Sequence, residues 1–176
     1  MNANQIDVKK VKMNGNRLDA SYWYDQKEIN VKGKEPFHDD LRKAMNALKP
    51  YFVEICEQSE AKDIDWNNLD GTKTSEACIK FGVSGIAISG SGSTESVVIS
   101  GFKLLKTNKT LFFTTPRVII SEESDDRYER YEELKQLLQV ICFEAEDYII
   151  NHKYSEFKLP ELPFKEDDDD PYNENE

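Results

Sequence analysis

The dipeptide Asn14-Gly15, inside "VKMNGNRLDASYWY", constrains the fold of this chain more than any other feature. Both residues tolerate the positive φ of a type I′ turn and stand between two extended runs, so the stretch from Ile6 to Tyr24 reads as a β-hairpin. On its second run Leu18, Ala20, Tyr22 and Tyr24 alternate with Asp19, Ser21 and Trp23, which assigns the first set to the core. The outward direction of Trp23 depends on register, because a slip of one residue reverses every side chain. "EINVKG" follows as a short third strand closed by Gly33.

From Asp39 the period changes. Leu41, Ala44, Met45, Leu48, Phe52, Ile55 and Cys56 recur every three to four residues, the spacing of one helix face. His38 or Asp39 is the expected cap, Phe37 the hydrophobic staple, and Pro50 the site of a kink or a broken end. "SEAKDIDWNNLDGTKTSE" reads as a long polar connector pinned by Trp66 and Leu69. Three antiparallel strands are then expected in "ACIKFGVSGIAIS", "ESVVISGFKLLK" and "TLFFTTPRVII". A second helix should start after "SEESDD", with Tyr131, Leu134, Leu138, Ile141, Cys142, Ala145, Tyr148 and Ile149 as its apolar stripe, and end near Asn151-His152. The expectation is a single α+β domain over residues 1–158, an antiparallel sheet of about six strands with two α-helices packed on one face, followed by an extended, acidic, disordered tail over 159–176.

Charge sharpens the division. Residues Glu166 to Glu176 hold seven acids and no base, so without them the formal charge of −11 becomes −4. Residues 1–50 carry ten Lys and Arg against seven acids, whereas residues 121–165 carry six against twelve. The molecule is basic at one end of its chain and acidic at the other. No apolar run approaches the roughly 18–20 residues that cross a bilayer, and the start lacks a signal peptide's apolar stretch, so a cytoplasmic protein with no membrane partner is expected. Cys56, Cys78 and Cys142 sit among apolar neighbours without C-x-x-C spacing, as reduced core thiols do.

The Gly/Ser-rich loop in "SGIAISGSGSTESVVISG" raises the question of a phosphate cradle. Such a cradle needs amides presented at a helix N-terminus and a lysine for the charge; here "GSGST" runs into Glu95 and a strand, the pattern of a hairpin connection. Gly85 and Gly101 on the flanking strands mark bulges or close backbone approach. His38 beside Asp39 and Asp40 fits a helix start better than a metal site, and His152 fits a helix end. Glu76 and Lys80 lack the paired carboxylate of a metal nuclease, and no G-x-S-x-G nucleophile elbow occurs. No catalytic residue, metal ligand or cofactor is assigned, and the chain is not expected to be an enzyme.

Binding is the better prospect. Lys9, Lys10, Lys12, Arg17, Lys32 and Lys34 fall in the first three strands together with Trp23, and Lys103, Lys106 and Lys109 around the later hairpin. Cations for phosphate and rings for stacking on a sheet face are what single-stranded nucleic acid uses. The same lysines also serve as a solvated face or as protection of an edge strand. The tail, with Asp167, Asp168, Asp169, Asp170 and Tyr172, has three uses open to it: solubility, occupation of a basic sheet, or docking on a protein partner.

In layout the chain resembles small uncharacterised proteins encoded by bacteriophages and prophages, through the hairpin "VKMNGNRLDASYWY", the helix "HDDLRKAMNALKPYF" and the paired strands "GVSGIAIS" and "SVVISGFKLL", over residues 6–150. The resemblance implies a phage-borne accessory protein and brings no site residues with it. The leading expectation is a non-catalytic accessory of DNA replication or recombination that touches single-stranded nucleic acid or its proteins. The alternatives are a protein-interaction module or host-defence inhibitor acting through the acidic second helix and tail, and a virion or assembly component, which a homo-oligomer would support.

Overall fold

The computed structural model describes residues 6–155. The expected tail, with Asp167 to Asp170 and Tyr172, and the expected domain boundary at residue 158 lie outside them. Three strands come first, β1 (Asp7–Asn14), β2 (Arg17–Tyr24) and β3 (Lys27–Pro36), followed by the helices α1 (Asp39–Ala47), α2 (Lys49–Ile55) and α3 (Thr72–Cys78). The second half holds β4 (Phe81–Ser89), β5 (Ser96–Leu104), β6 (Thr110–Thr114), β7 (Val118–Ile119) and the long helix α4 (Tyr131–Ile150). All pairings of these strands are antiparallel, in the order β3-β2-β1-β4-β5-β6, with β7 beside β6 on the same edge of β5. The fold is α+β, as expected.

One face of the sheet carries the core. Val31, Ala20, Val11, Ile86 and Ile99 form a cross-strand row through five strands, and all but the edge residue Val31 are buried. Directly opposed residues share a face, so this row defines the inner side. On it α4 packs against β1, and α1 and α2 against β4. The buried stripe of α4 is Leu134, Leu138, Ile141, Ala145 and Tyr148, alternating steps of four and three as one helix face requires. Phe52 of α2 lies at the centre of this layer, stacked on Phe113 and edge-on to Phe81.

The first helical pattern divides at Leu48. Pro50 has no N–H to give and is tolerated near a helix start, so the chain ends α1 and begins α2 there. The Nδ1 of His38 accepts the backbone N–H of Asp40 at 3.2 Å, which makes His38 the cap of α1. Trp66 and Leu69 do pin the connector: Trp66 packs edge-on to Tyr51 at 5.2 Å, and the Arg130 guanidinium covers its ring at 4.0 Å.

Four local expectations need correction. The connector contains α3, in which Thr74, Ala77 and Cys78 are buried at helical spacing, so Ala77 and Cys78 are not strand residues. "TLFFTTPRVII" is two strands, because Pro116 cannot donate to a ladder; Thr115 spans the break, its N–H donating to Ile99 O and its Oγ1 accepting from Ile99 N–H, both at 2.9 Å. Strand β3 runs through Gly33 to Pro36, and the glycine is there because the phenol of Tyr148 lies over it on the way to donating to Glu35 O at 2.6 Å. Helix α4 begins at Tyr131 and not directly after "SEESDD", whose serines close turns of their own. Gly85 and Gly101 behave as expected, the first at a bulge in β4 and the second against the backbone of Gly82.

Burial raises the thiols of Cys56 to about 11 and of Cys142 to about 12, and that of Cys78 upward as well. All three are free. The thiolate is the reactive form. At pH 8 a disulfide reagent should therefore modify the folded chain at least tenfold more slowly than the chain in denaturant, where all three should react; rapid reaction of the native protein would contradict this packing.

Candidate nucleic-acid interface

Among the described residues no helix packs on the second face of the sheet. Its composition follows from register alone. Asn30, Ser21, Lys10, Ala87 and Val98 form one row across five strands, and Lys32, Asp19, Lys12, Gly85, Ser100 and Thr114 form the next across six. Lys10, Lys12 and Lys32 are exposed, and the middle of the face is paved with the small residues Ser21, Gly85, Ala87 and Ser100. Lys10 and Lys12 are about 7 Å apart along β1, and Lys32 lies two strands, about 10 Å, from Lys12. Lys34 is two residues further along β3, where the pairing with β2 shifts register, and Arg17 lies beyond that shift at the end of β2, opposite Pro36.

Aromatic rings stand at two ends of this surface. Trp23 is in register with Asp7 on one side and Glu28 on the other and is 43% exposed. Diagonally across the sheet, Phe102 lies over Gly82 and pairs with Phe112, which is 72% exposed; their centroids are 6.0 Å apart. Phe102 and Phe112 were not singled out in the sequence, where "SGFKLL" and "TLFFT" look like ordinary core strands. The available signal was Gly82, since a glycine in a strand often marks a ring or backbone lying against it.

The structure brings together Lys10, Lys12, Arg17, Trp23, Lys32 and Lys34 and separates the other candidates from them. Lys9 occupies the bulge between Val8 and Lys10, pairs with Asp7 at 2.9 Å and lines the cleft by Cys142 and Glu146 of α4. Lys103 points to the inner side, where its Nζ meets Glu60 at 2.8 Å and Gln58 at 3.2 Å and covers the Phe81 ring. That ammonium holds the Glu60 carboxyl below its ordinary range, so the pair is fully formed above the usual carboxylate range and weakens as acid is added. Tyr24, assigned above to the core, is 42% exposed, because β2 ends there in a two-residue turn at Asp25 and Gln26, both with positive φ.

Three acids moderate the face. Asp19 sits between Lys12 and Lys32, and Asp7 and Glu28 flank Trp23. Five bases against three acids leave a surface that attracts anions weakly at each point and more strongly over its length. Among the described residues no group of three or more His, Cys, Asp and Glu is placed to hold a metal ion, and no helix is long and apolar enough to cross a membrane.

The helical side offers a different surface. A groove of about 1030 Å³ runs between α1, α2, α3 and α4, lined by Leu69, Leu137, Val140 and the 76% exposed Ile79, with Lys43, Lys49, Glu76 and Glu133 at its rim. Its charges are mixed. Comparisons of the chain with protein-family models, with curated proteins and with solved structures give no match.

Proposed function

We propose that this protein binds single-stranded nucleic acid on the open face of its sheet, as a non-catalytic, cytoplasmic accessory of phage-type DNA replication or recombination. The observation that carries the reading is the coincidence of Lys10, Lys12, Lys32, Lys34 and Arg17 with exposed rings on the sheet face that no helix of the described residues covers. Lysines distribute charge along a backbone without reading bases, and rings accept any base. The resulting mode is sequence-tolerant and salt-sensitive.

Fluorescence anisotropy with a labelled single-stranded oligonucleotide, over a salt series, tests it. Five phosphate contacts at about 0.7 each predict a slope of log K against log salt of about −3.5. Absence of binding at low salt would end this reading. The apolar groove around Ile79 and Val140 favours a second one, a module that binds a protein partner through its helical side. In that case binding of a partner should be lost on Ile79→Glu and be indifferent to the lysines of the sheet.

A further inference from the structure

The described chain ends beside the basic face. Tyr154 bridges to Phe37, and the N–H of Ser155 donates to Pro36 O at 2.9 Å, so the last described residue lies against the end of β3. Pro36 is in register with Arg17, and Lys34 and Lys32 precede it on the same strand. Helix α4 is held in this position by Tyr148 on Glu35 and by Lys153, whose Nζ meets Asp40 at 2.9 Å and Glu144 at 2.7 Å. The exit point is thus fixed by the fold.

Twenty-one residues follow Ser155, and their last eleven hold seven acids and no base. From Ser155 to Asp167 the chain spans up to about 40 Å when extended. The row containing Lys10 lies about 20 Å along β3 from Pro36 and about 10 Å across two strands. The reach is ample.

We propose that the segment Glu166–Glu176 is the intramolecular occupant of the open sheet face, seated over Lys10, Lys12, Lys32, Lys34 and Arg17 until nucleic acid displaces it. This rests on the same face as the nucleic-acid reading and adds its regulation. Charge selects the face over the helical groove, because the groove sets Lys43 and Lys49 against Asp70, Glu76 and Glu133 and offers a polyanion no net attraction. Tethering supplies the segment at an effective concentration on the order of millimolar, enough for a weak, multipoint contact to be populated. Added salt screens that contact. A ligand that must displace the segment binds with an affinity reduced by the fraction of time the face is open.

The test uses the full chain and a variant in which Asp167, Asp168, Asp169 and Asp170 are each replaced by Asn. Amide and indole NMR shifts are compared without nucleic acid, and anisotropy with a single-stranded oligonucleotide is compared at low and moderate salt. Shift differences should concentrate at Lys10, Lys12, Lys32, Lys34 and Trp23, and the variant should bind about tenfold more tightly at low salt, the gap closing as salt rises. Unshifted resonances on the face would overturn the proposal even if affinity rose, since a less negative net charge alone would raise it. If the shifts appear but neither protein binds the oligonucleotide, the tail contact stands and the nucleic-acid reading falls.

Discussion

Phe52→Ala should lower the free energy of unfolding by about 3–5 kcal/mol, the range found when a fully enclosed phenylalanine is truncated. The ring is 0% exposed, lies 4.9 Å from Phe113 and 6.5 Å from Phe81 by centroid, and closes against Gly101, whose missing Cβ would meet it at 2.8 Å. It therefore joins α2 to three strands, β4, β5 and β6, at the place where the helix layer meets the sheet. The close fit leaves little freedom for neighbours to collapse into the space, which puts the expected loss toward the upper part of the range. Against a total stability of about 5–15 kcal/mol for a domain of this kind, that is a large share. Urea denaturation of wild type and variant measures it, with Phe112→Ala as the comparison. Phe112 projects into solvent and should cost less than about 0.5 kcal/mol. Equal losses at both positions would mean that Phe52 does not hold the layers together.

The same contrast between an inner and an outer face explains what could be read from the residues in advance. Asn14-Gly15 yields its hairpin because the turn type demands residues that accept positive φ, a local requirement. The turn at Asp25 and Gln26 escapes notice for the converse reason: neither is glycine, and the positive φ at both is imposed by the pairing of β2 with β3. Pro50 and Pro116 act through a missing N–H, but only the first is readable as a helix break, since a strand pattern as short as "TLFFTTPRVII" carries no periodicity to interrupt. Helix α3 is hidden by its length. Seven residues with three buried positions give too few repeats to distinguish a helix from a polar connector.

The candidate site was legible in its cations and only half legible in its geometry. Lys10, Lys12 and Lys32 share a face because the pairing is regular where Asp19 and Ser21 of β2 oppose them or their neighbours in β1 and β3, and alternation transmits that from the core row to the outer one. Lys9 fails the same reasoning through a single bulge, which no composition rule locates. Phe102 and Phe112 look apolar and therefore internal; their place outside follows from Gly101 and Phe113 taking the inner positions, a choice made by the packing of Phe52.

Replacing Lys10, Lys12 and Lys32 together by Gln should weaken binding of a single-stranded oligonucleotide roughly a hundredfold at low salt. Each exposed ion pair with phosphate contributes at most about 1 kcal/mol, and three of them make about 3 kcal/mol, or two powers of ten. The salt slope should fall by about 2, since each neutralised phosphate accounts for about 0.7 of it. Glutamine keeps a polar, unbranched side chain without the charge, and all three positions are exposed, so the fold should be unaffected. The decisive comparison is a second triple variant, Lys43, Lys62 and Lys73 to Gln, which makes the same change in net charge on the exposed helical side. If the interface is the sheet face, this variant should retain affinity within about threefold when both are compared at about 0.1 M salt, because there charges beyond a Debye length of about 10 Å are screened from the bound strand. An equal loss in both would show that the protein attracts the oligonucleotide through its charge as a whole, and the row of lysines through β1, β2 and β3 would then have no special role.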